Sequence, residues 1–478
     1  MAAPQWARMA WSQEATAGER HAIDAVSVAD LLRNGFVYPP HSIFEGGRAM
    51  SGNAFLAAKD ESGATSFRFR FPDSGKRSAS AHEIDWVSAY HRQLCDAVLR
   101  ATRDMHAPWS LQSGGKDSTT LAIAIADARP DTTCITYLGG REENEVGSAR
   151  TVASRLGLRH EVLVCDPGRA YDRYLAIAPR MPSLTADFAL LSYVDIAFEV
   201  TGQGGDGMLD GLGSDLYFGI PVNREYRMLR WLARGLRLPR GATELPWIGG
   251  QFEVCFALGT LQMNDIERVF PGSRFTDAEV DALFGRNIAG QSRARLAPFL
   301  SEIRSAGSLE EQRAISLSIA ASAGGFAKGA YTAAAMPLRV AFPFCDEDFC
   351  DWVYGEVPAE LMMDPATGLN KVLVRQHIAT RFDELPYVSR KGSFRFDVRG
   401  LAAQRFEQVH AYAQQSRHVL PGAVQWLERN RQRLDNKYHA SKFYLLAVVL
   451  PWLCRQPGYE RHEHRDLGTR RATDADAA

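Results

Sequence analysis

Two kinds of hydrophobic pattern, short apolar runs and longer helical segments, alternate through the first half of the chain. Short apolar runs at 109–111, 133–138 and 160–164 predict buried strands. Between them, an Ala-rich run at 121–127 and a segment at 142–157 with acidic residues at its front are typical of helices. This alternation predicts a parallel sheet with right-handed crossovers, which binds ligands at the carboxyl ends of its strands.

Further elements are predicted on the amino-terminal side of this unit. Residues 81–103 have apolar side chains every three to four positions, which indicates an amphipathic helix that leads into the first strand. Ahead of it, Ser27 can cap a short helix that ends at Gly35. Residues 55–58 and 66–71 are typical of a small hairpin, because phenylalanines alternate with arginines in the second segment.

The remainder is predominantly helical, and the carboxyl terminus is polar. Helical character extends over 223–326, with an amphipathic stretch at 300–321, and a further helix is predicted at 438–453. We therefore expect three regions: a small α+β region at 1–80, a main α/β domain at 81–456 and a disordered tail at 457–478.

Composition restricts the classes of partner. Hydrophobic residues make up 46% and charged residues 23%, as in globular proteins, and 55 Lys and Arg nearly balance 56 Asp and Glu. This balance gives no field that would favour nucleic acid or an anionic membrane, so neither is expected as a partner. With no leader-like start and no apolar segment of membrane-spanning length, we expect a cytoplasmic protein. Seven scattered cysteines without CxxC spacing predict reduced thiols rather than a zinc site.

The run Ser113–Ser118 (SGGKDS) carries the strongest chemical signal. It lies between a predicted strand and a predicted helix, where glycines allow close backbone approach and a helix start presents unpaired N–H groups. An anion fits such a loop, and phosphate is the anion we expect. The alternative is a glycine turn capped by Ser118 that binds nothing.

A second glycine-rich run, Thr201–Gly207, follows an apolar segment that we interpret as another strand. The two runs together resemble known families. SGGKDS resembles the pyrophosphate loop of the ATP pyrophosphatases, and Thr201–Gly207 is similar to the Ser-Gly-Glu-Gly-Ala/Ser-Asp-Glu signature of asparagine synthetases. Weaker similarities occur at 338–346 and at 361–375, where Gly368, Lys371 and Arg375 resemble the family's Gly-Lys-x-x-Leu-Arg helix. Residues 386–396 are similar to its Arg-x-Lys-x-Gly-Phe loop.

This resemblance implies an α/β fold of the PP-loop, adenine nucleotide α-hydrolase-like type, a parallel sheet flanked by helices, related to β-lactam synthetases and lasso-peptide cyclases. It implies ATP as substrate and Mg²⁺ on the pyrophosphate, since Mg²⁺ prefers hard oxygen ligands. The implied site residues are Lys391 and Gln203 for catalysis, Ser113, Gly114, Gly115, Lys116, Asp117, Ser118, Tyr137, Leu138, Gly202 and Gly204 for ATP, and Asp117 and Asp206 for the metal.

Two departures from the family pattern bear on the nitrogen donor. The signature's glutamates fall on Gln203 and Gly207, so the base must lie elsewhere or the amine must arrive unprotonated. The region at 1–80 resembles the last part of a glutaminase domain, but Ala2 stands where that family has its cysteine nucleophile. We therefore expect nitrogen from ammonia, from a separate glutaminase or pathway partner, or from an amine on the substrate.

The resulting hypothesis is an ATP-dependent, AMP-forming ligase that adenylates a small-molecule or peptide carboxylate and transfers the acyl group to ammonia or an amine, in specialised metabolism. Two alternatives remain open. One is sulfur or nitrogen transfer by another ATP pyrophosphatase, which usually involves cysteines and a basic surface. The other is a non-catalytic nucleotide-binding partner of another synthetase, which Gln203 and Gly207 would permit.

Overall fold

The computed structural model describes residues 22–46, 84–139, 145–218, 251–263, 274–364, 366–384 and 396–455. It also describes the backbone of two strands at 55–59 and 65–69 and a few isolated positions at 222–238 and at 268.

Two sheets are present in this part of the chain. The predicted hairpin is confirmed: β1 (Phe55–Lys59) pairs antiparallel with β2 (Thr65–Phe69). The second sheet has five strands, all parallel, in the spatial order β5-β4-β3-β6-β7. Its members are β3 (Pro108–Leu111), β4 (Thr133–Leu138), β5 (Arg159–Val164), β6 (Gly207–Leu209) and β7 (Arg339–Ala341).

Helices connect and cover these strands. The first ones are α1 (Ala25–Asn34), α2 (Trp86–Thr102), α3 (Lys116–Ala128), α4 (Val146–Arg155), α5 (Pro167–Ile177), α6 (Leu190–Gly202) and α7 (Ser214–Phe218). The middle ones are α8 (Phe252–Gln262), α9 (Asp277–Phe284), α10 (Ala289–Ala294), α11 (Ala297–Ser305), α12 (Leu309–Ala320) and α13 (Phe326–Ala335). The last ones are α14 (Glu347–Gly355), α15 (Ala359–Met362), α16 (Val372–Ala379), α17 (Val398–Gln415), α18 (Ala423–Asn430) and α19 (Lys437–Leu453).

Three local predictions need correction. The N-terminal helix is capped by Asp24, whose carboxylate accepts the Val26 N–H, and Ser27 lies inside the helix. Residues 300–321 are divided between α11 and α12 by a break at 306–308, where Ser308 caps the second helix. The apolar run before Gly202 is the end of α6 rather than a strand.

Both faces of the parallel sheet are buried. On one face, Cys134 and Leu209 pack with apolar residues of α2, α3, α4, α7, α14 and α16. On the other face, Trp109, Ile135 and Met208 pack against α6. The inner strands β3, β4 and β6 are buried along nearly all of their length, because helices cover both of their faces, whereas the edge strands β5 and β7 are partly exposed. A separate helical core joins α1 to α5, α6, α17 and α19, so residues near the start of the chain pack against its last described helix.

The strand order creates a crevice beside β3. After β3 the chain crosses to β4 on one side, whereas β6 pairs with β3 on the other side. The loops that leave β3 and β6 therefore diverge at the carboxyl edge of the sheet, which is where open α/β folds bind ligands. Within the described residues, no helix has both the length and the apolar character to cross a bilayer.

Candidate active site

The loop after β3 is braced by its own serines. Ser118 Oγ lies 2.6 Å from the carbonyl oxygen of Ser113 and 3.0 Å from Ser113 Oγ, and it also accepts the Ser113 N–H at 3.2 Å. Helix α3 begins immediately afterwards at Lys116, which is half-buried. Ser118 therefore braces the turn from inside the helix, whose N-cap is Gly115. The same loop presents the N-terminus of a 13-residue helix, a favourable location for phosphate.

An ionic cluster lies beside this loop. Lys371 Nζ is 2.6 Å and 2.8 Å from the two carboxylate oxygens of Asp117, and 2.5 Å from Asp215 Oδ1. Ser214 Oγ donates to Asp117 Oδ1 at 2.8 Å. One ammonium group thus joins two carboxylates that come from helices following different strands.

Lys371 is held in a position that the backbone does not favour. Its φ is +60°, the left-handed region that bulky residues rarely adopt, and its side chain is buried. Burial alone would lower the pKa of this lysine, but Asp117 and Asp215 raise the pKa above its ordinary value. The lysine is therefore a fixed positive charge, and such backbone strain is often found at functional sites.

The loop after β6 leads into α7, which carries Asp215, and it depends on two glycines. Gly211 lies against the backbone of Asp117, with 3.7 Å between its Cβ position and the Asp117 carbonyl atoms. Gly213 has φ of +120°, and a Cβ there would lie 2.7 Å from Cys345 Sγ. A side chain at Gly213 would therefore be strained and crowded, so glycine is required for the loop to reach α3.

A cavity of about 230 Å³ opens between the two loops. One wall is the ionic side, with Ser113, Asp117 and Asp215. A second part of the wall is made by Tyr193 of α6 and Lys328 of α13, which are neighbours. The volume is below the range of about 300–1,000 Å³ typical of sites for whole small ligands, so this cavity suits the reacting part of a ligand.

Unpaired polar groups lie on the β4 side of the first loop. Gln112 is fully buried, and both atoms of its amide lack a hydrogen-bond partner within the described structure. The hydroxyl of Ser148 also lacks a hydrogen-bond partner within the described structure. Ser148 lies against the first loop, since a Cβ on Gly114 would lie 3.1 Å from Ser148 Cβ. Buried groups of this kind are normally satisfied, so they suit the polar part of a bound ligand.

The predicted metal pair of Asp117 and Asp206 is wrong. Asp206 precedes β6, and β6 runs parallel to β3, so Asp206 lies at the amino edge of the sheet. Its carboxylate accepts backbone N–H groups from His106 at 2.8 Å and Ala107 at 2.8 Å. Burial would raise the pKa of Asp206, but these hydrogen bonds hold it below the usual value. Asp117 lies at the carboxyl edge, and its carboxylate neighbour is Asp215.

The neighbouring predictions fail for the same reason. Gly202, Gln203 and Gly204 lie where α6 ends and the chain turns towards β6, at the amino edge. Gln203 is exposed and donates to Glu199 Oε1 at 2.9 Å. These residues are therefore remote from the cavity, and neither ATP binding nor catalysis can be assigned to them.

The two adenine candidates and the predicted loop lysine have separate outcomes. The Tyr137 side chain is buried with Trp109 and Leu163 in the core, so only its backbone could contact adenine, and that contact stays a prediction. Leu138 ends β4 at the carboxyl edge and is half-buried, so its role stays a prediction. Lys391 lies outside the described residues.

Sequence reasoning missed Asp215 and did not place Lys371 in the site, although signals existed for both. The run Asp210–Leu216 fits the Ser-Gly-Glu-Gly-Ala/Ser-Asp-Glu signature at four positions, one more than Thr201–Gly207. In this register the signature's glutamates fall on Leu212 and Leu216. The Gly-Lys-x-x-Leu-Arg similarity already contained Lys371.

Three features define an α/β nucleotide-binding protein of the ATP pyrophosphatase type. They are the parallel sheet, the braced glycine loop and the ionic cluster beside the crevice where the strand order reverses. Comparison with protein families agrees. The asparagine synthase family profile matches residues 89–419, about two thirds of the chain, and the protein therefore belongs to that family. Membership makes it an ATP-dependent carbon–nitrogen ligase at family level. No curated protein matches the chain significantly.

Proposed function

We propose that this protein adenylates a carboxylate with ATP and transfers the acyl group to ammonia or an amine, forming AMP and pyrophosphate. The observation that carries the proposal is the Asp117–Lys371–Asp215 cluster next to the loop after β3. It combines a phosphate-binding helix start with a fixed cation and two carboxylates at the strand switch.

The reaction would proceed in two balanced steps. A carboxylate oxygen attacks the α-phosphorus, the bond to the bridging oxygen of the β-phosphate breaks, and pyrophosphate leaves. The amine nitrogen then attacks the acyl carbon, the bond from that carbon to the AMP oxygen breaks, and the nitrogen loses a proton. Lys371 and the N–H groups at the start of α3 would stabilise charge on the leaving pyrophosphate.

Mg²⁺ fits the donor set of the cluster. Asp117 and Asp215 supply carboxylate oxygens that converge on one ammonium group, so the position already favours positive charge. The described residues contain no group of three metal-binding side chains, and Mg²⁺ commonly uses one or two carboxylates together with phosphates and water. Asp117 and Asp215 would hold the ion, which would supply charge neutralisation at the phosphates.

The base for the second step differs from the family pattern. Leu212 lines the cavity where the signature has a glutamate, and a leucine can accept no proton. Asp210 lies two residues earlier, lines the same cavity, and accepts the Leu212 N–H at 3.0 Å. We assign the proton acceptor to Asp210, since it is a carboxylate on the loop that the glutamate would occupy.

The experiment uses hydroxylamine as the amine, so that the natural amine need not be known. The protein is mixed with ATP, Mg²⁺ and pools of carboxylates, and AMP, pyrophosphate and acyl hydroxamate are measured. We expect all three in equal amounts, with Lys371→Met reducing them at least a hundredfold. Asp210→Asn, which retains an oxygen for the Leu212 N–H, should lower hydroxamate formation while ATP–pyrophosphate exchange continues. Formation of ADP and phosphate would overturn the proposal.

Leu212 and Leu216 also favour a second candidate, a non-catalytic nucleotide-binding partner of another synthetase. That candidate predicts ATP binding with no pyrophosphate release from any carboxylate pool above the level of Lys371→Met. The hydroxylamine experiment therefore separates the two functions, because the enzyme must turn ATP over whereas the partner need only bind it.

A further inference from the structure

Lys328 is a buried cation that lines the same cavity as Asp117 and Asp215. Its side chain lies on α13, the residue is 7% exposed, and its ammonium donates to the carbonyl oxygen of Gly325 at 2.8 Å. Within the described structure it forms no ion pair. An ammonium group has three N–H donors, so a single backbone acceptor leaves a buried charge poorly compensated, which is costly.

Tyr193 supplies a second unsatisfied donor on the same wall. Its residue exposure is 1%, and its hydroxyl has no hydrogen-bond partner among the described residues. The Lys328 ammonium lies 5.3 Å from the centre of the Tyr193 ring, so the two groups are neighbours. A Cβ on Gly329 would lie 3.0 Å from the Tyr193 oxygen, so the absence of a side chain there leaves space at the hydroxyl.

The backbone before Lys328 is also unusual. Residues Ala321–Gly325 form a π-helical turn between α12 and α13, and Gly325 at its end supplies the acceptor for Lys328. Such turns are rare and frequently occur at functional sites, because the extra residue changes which side chains a helix presents. Here the helix that follows directs Lys328 to the cavity.

The location selects the ligand chemistry. Asp117 and Asp215 are already paired with Lys371 on the phosphate side, whereas Lys328 forms no ion pair and the Tyr193 hydroxyl no hydrogen bond within the described structure, although Asp210 lines the same cavity. In the proposed reaction a carboxylate must approach the α-phosphate from within this small cavity. A carboxylate on a narrow chain is therefore the anion that fits between the two walls.

We propose that Lys328 and Tyr193 bind the reacting carboxylate of the acyl substrate, at the oxygen that becomes the acyl carbonyl. This inference rests on the proposed function and assigns the acyl subsite within it. The other carboxylate oxygen is then directed towards the α-phosphorus. A different interpretation is that Lys328 only satisfies Gly325 or balances Asp210 through space.

The test uses simple carboxylates as probes. Binding of acetate, succinate and glutarate is compared with that of acetamide, succinamide and glutaramide by NMR titration, in the presence of Mg²⁺ and α,β-methylene-ATP. In the wild type we expect carboxylates to bind at least tenfold more tightly than the matched amides. Lys328→Met, which keeps the length of the side chain, should abolish this preference, and Tyr193→Phe should reduce it about threefold.

Two controls separate binding from structure. Lys437→Met removes a lysine from α19, outside the cavity, and should retain the preference. In all variants the affinity for the nucleotide analogue should stay within threefold of the wild type. Lys328→Met should unfold in urea at the same or a higher concentration than the wild type, because it removes a poorly compensated buried charge. A structural lysine would instead give a clear loss of stability.

The outcomes distinguish the two levels of the proposal. If the wild type binds the nucleotide analogue but carboxylates and amides equally, or if Lys328→Met retains the preference, the acyl subsite is wrongly assigned while the proposed function stands. If the wild type binds no nucleotide, the proposed function is wrong, and the subsite that rests on it is rejected too.

Discussion

Exchanging each of two aspartates for asparagine tests where the active site lies. Asp215→Asn removes a charge from the ionic cluster at the carboxyl edge of the sheet. Asp206→Asn removes a charge from a carboxylate that accepts two backbone N–H groups at the amino edge. The two changes are chemically identical, so a difference between them reports location.

The structure sets the expected magnitudes. Asp215 contributes a charge-assisted contact of 2.5 Å to Lys371, and contacts of this kind contribute about 1.5–3 kcal/mol. Loss of about 2 kcal/mol at a position that would also hold Mg²⁺ corresponds to roughly thirtyfold weaker binding of the magnesium nucleotide. Asp206→Asn keeps one acceptor oxygen for the two N–H groups, so we expect a loss of about 1 kcal/mol in folding stability and unchanged nucleotide affinity.

Isothermal titration calorimetry with Mg²⁺ and α,β-methylene-ATP measures the affinities, and urea unfolding measures the stabilities. Asp215→Asn leaves Asp117 paired with Lys371, so the fold should persist and the loss should appear in binding. Equal nucleotide affinities for the two variants would refute the reasoning, and a larger loss in Asp206→Asn would restore the originally predicted pair.

Two further predictions concern stability. Burial, with His91 and Arg381 nearby, lowers the pKa of His377 to about 3. His377 therefore stays neutral in the folded protein, whereas in the unfolded chain it takes up a proton near pH 6.5. The contribution of neutral His377 to the free energy of unfolding is complete above about pH 6.5 and falls by about 2 kcal/mol by pH 5. His377→Gln should therefore flatten that part of the pH profile of urea unfolding, and an unchanged slope would contradict this. Gly213→Ala should lose about 3 kcal/mol and at least tenfold in nucleotide affinity, because its Cβ would crowd Cys345 at an unfavourable φ. Gly204→Ala, with φ of +81° but no atom within 4 Å, should lose about 1 kcal/mol and keep its affinity, and similar results for the two glycines would count against the assigned loop.

Sequence alone determined the elements whose signals are local and long. The strand at Thr133–Leu138, the parallel order it implied and the loop Ser113–Ser118 were all predicted, because buried parallel strands are uniformly apolar and a strand–glycine–helix junction is contiguous. Strand β6 has only three residues, too few to show a period. The apolar end of α6 therefore predicts a strand that is absent there, and this places the second glycine loop at the wrong edge of the sheet.

Tertiary structure decided which charges meet. Lys371 contacts Asp117 across 254 positions of sequence, and Asp215 joins them only because β6 pairs with β3 in parallel register. No periodicity reports such a distance, since hydrophobic patterns specify which face of an element is buried and not which loops converge. Lys328 and Tyr193 likewise share a wall because α6 and α13 pack on the same side of the sheet edge. The sequence thus identified the glycine loop after β3, and the packing of distant elements selected the residues around it.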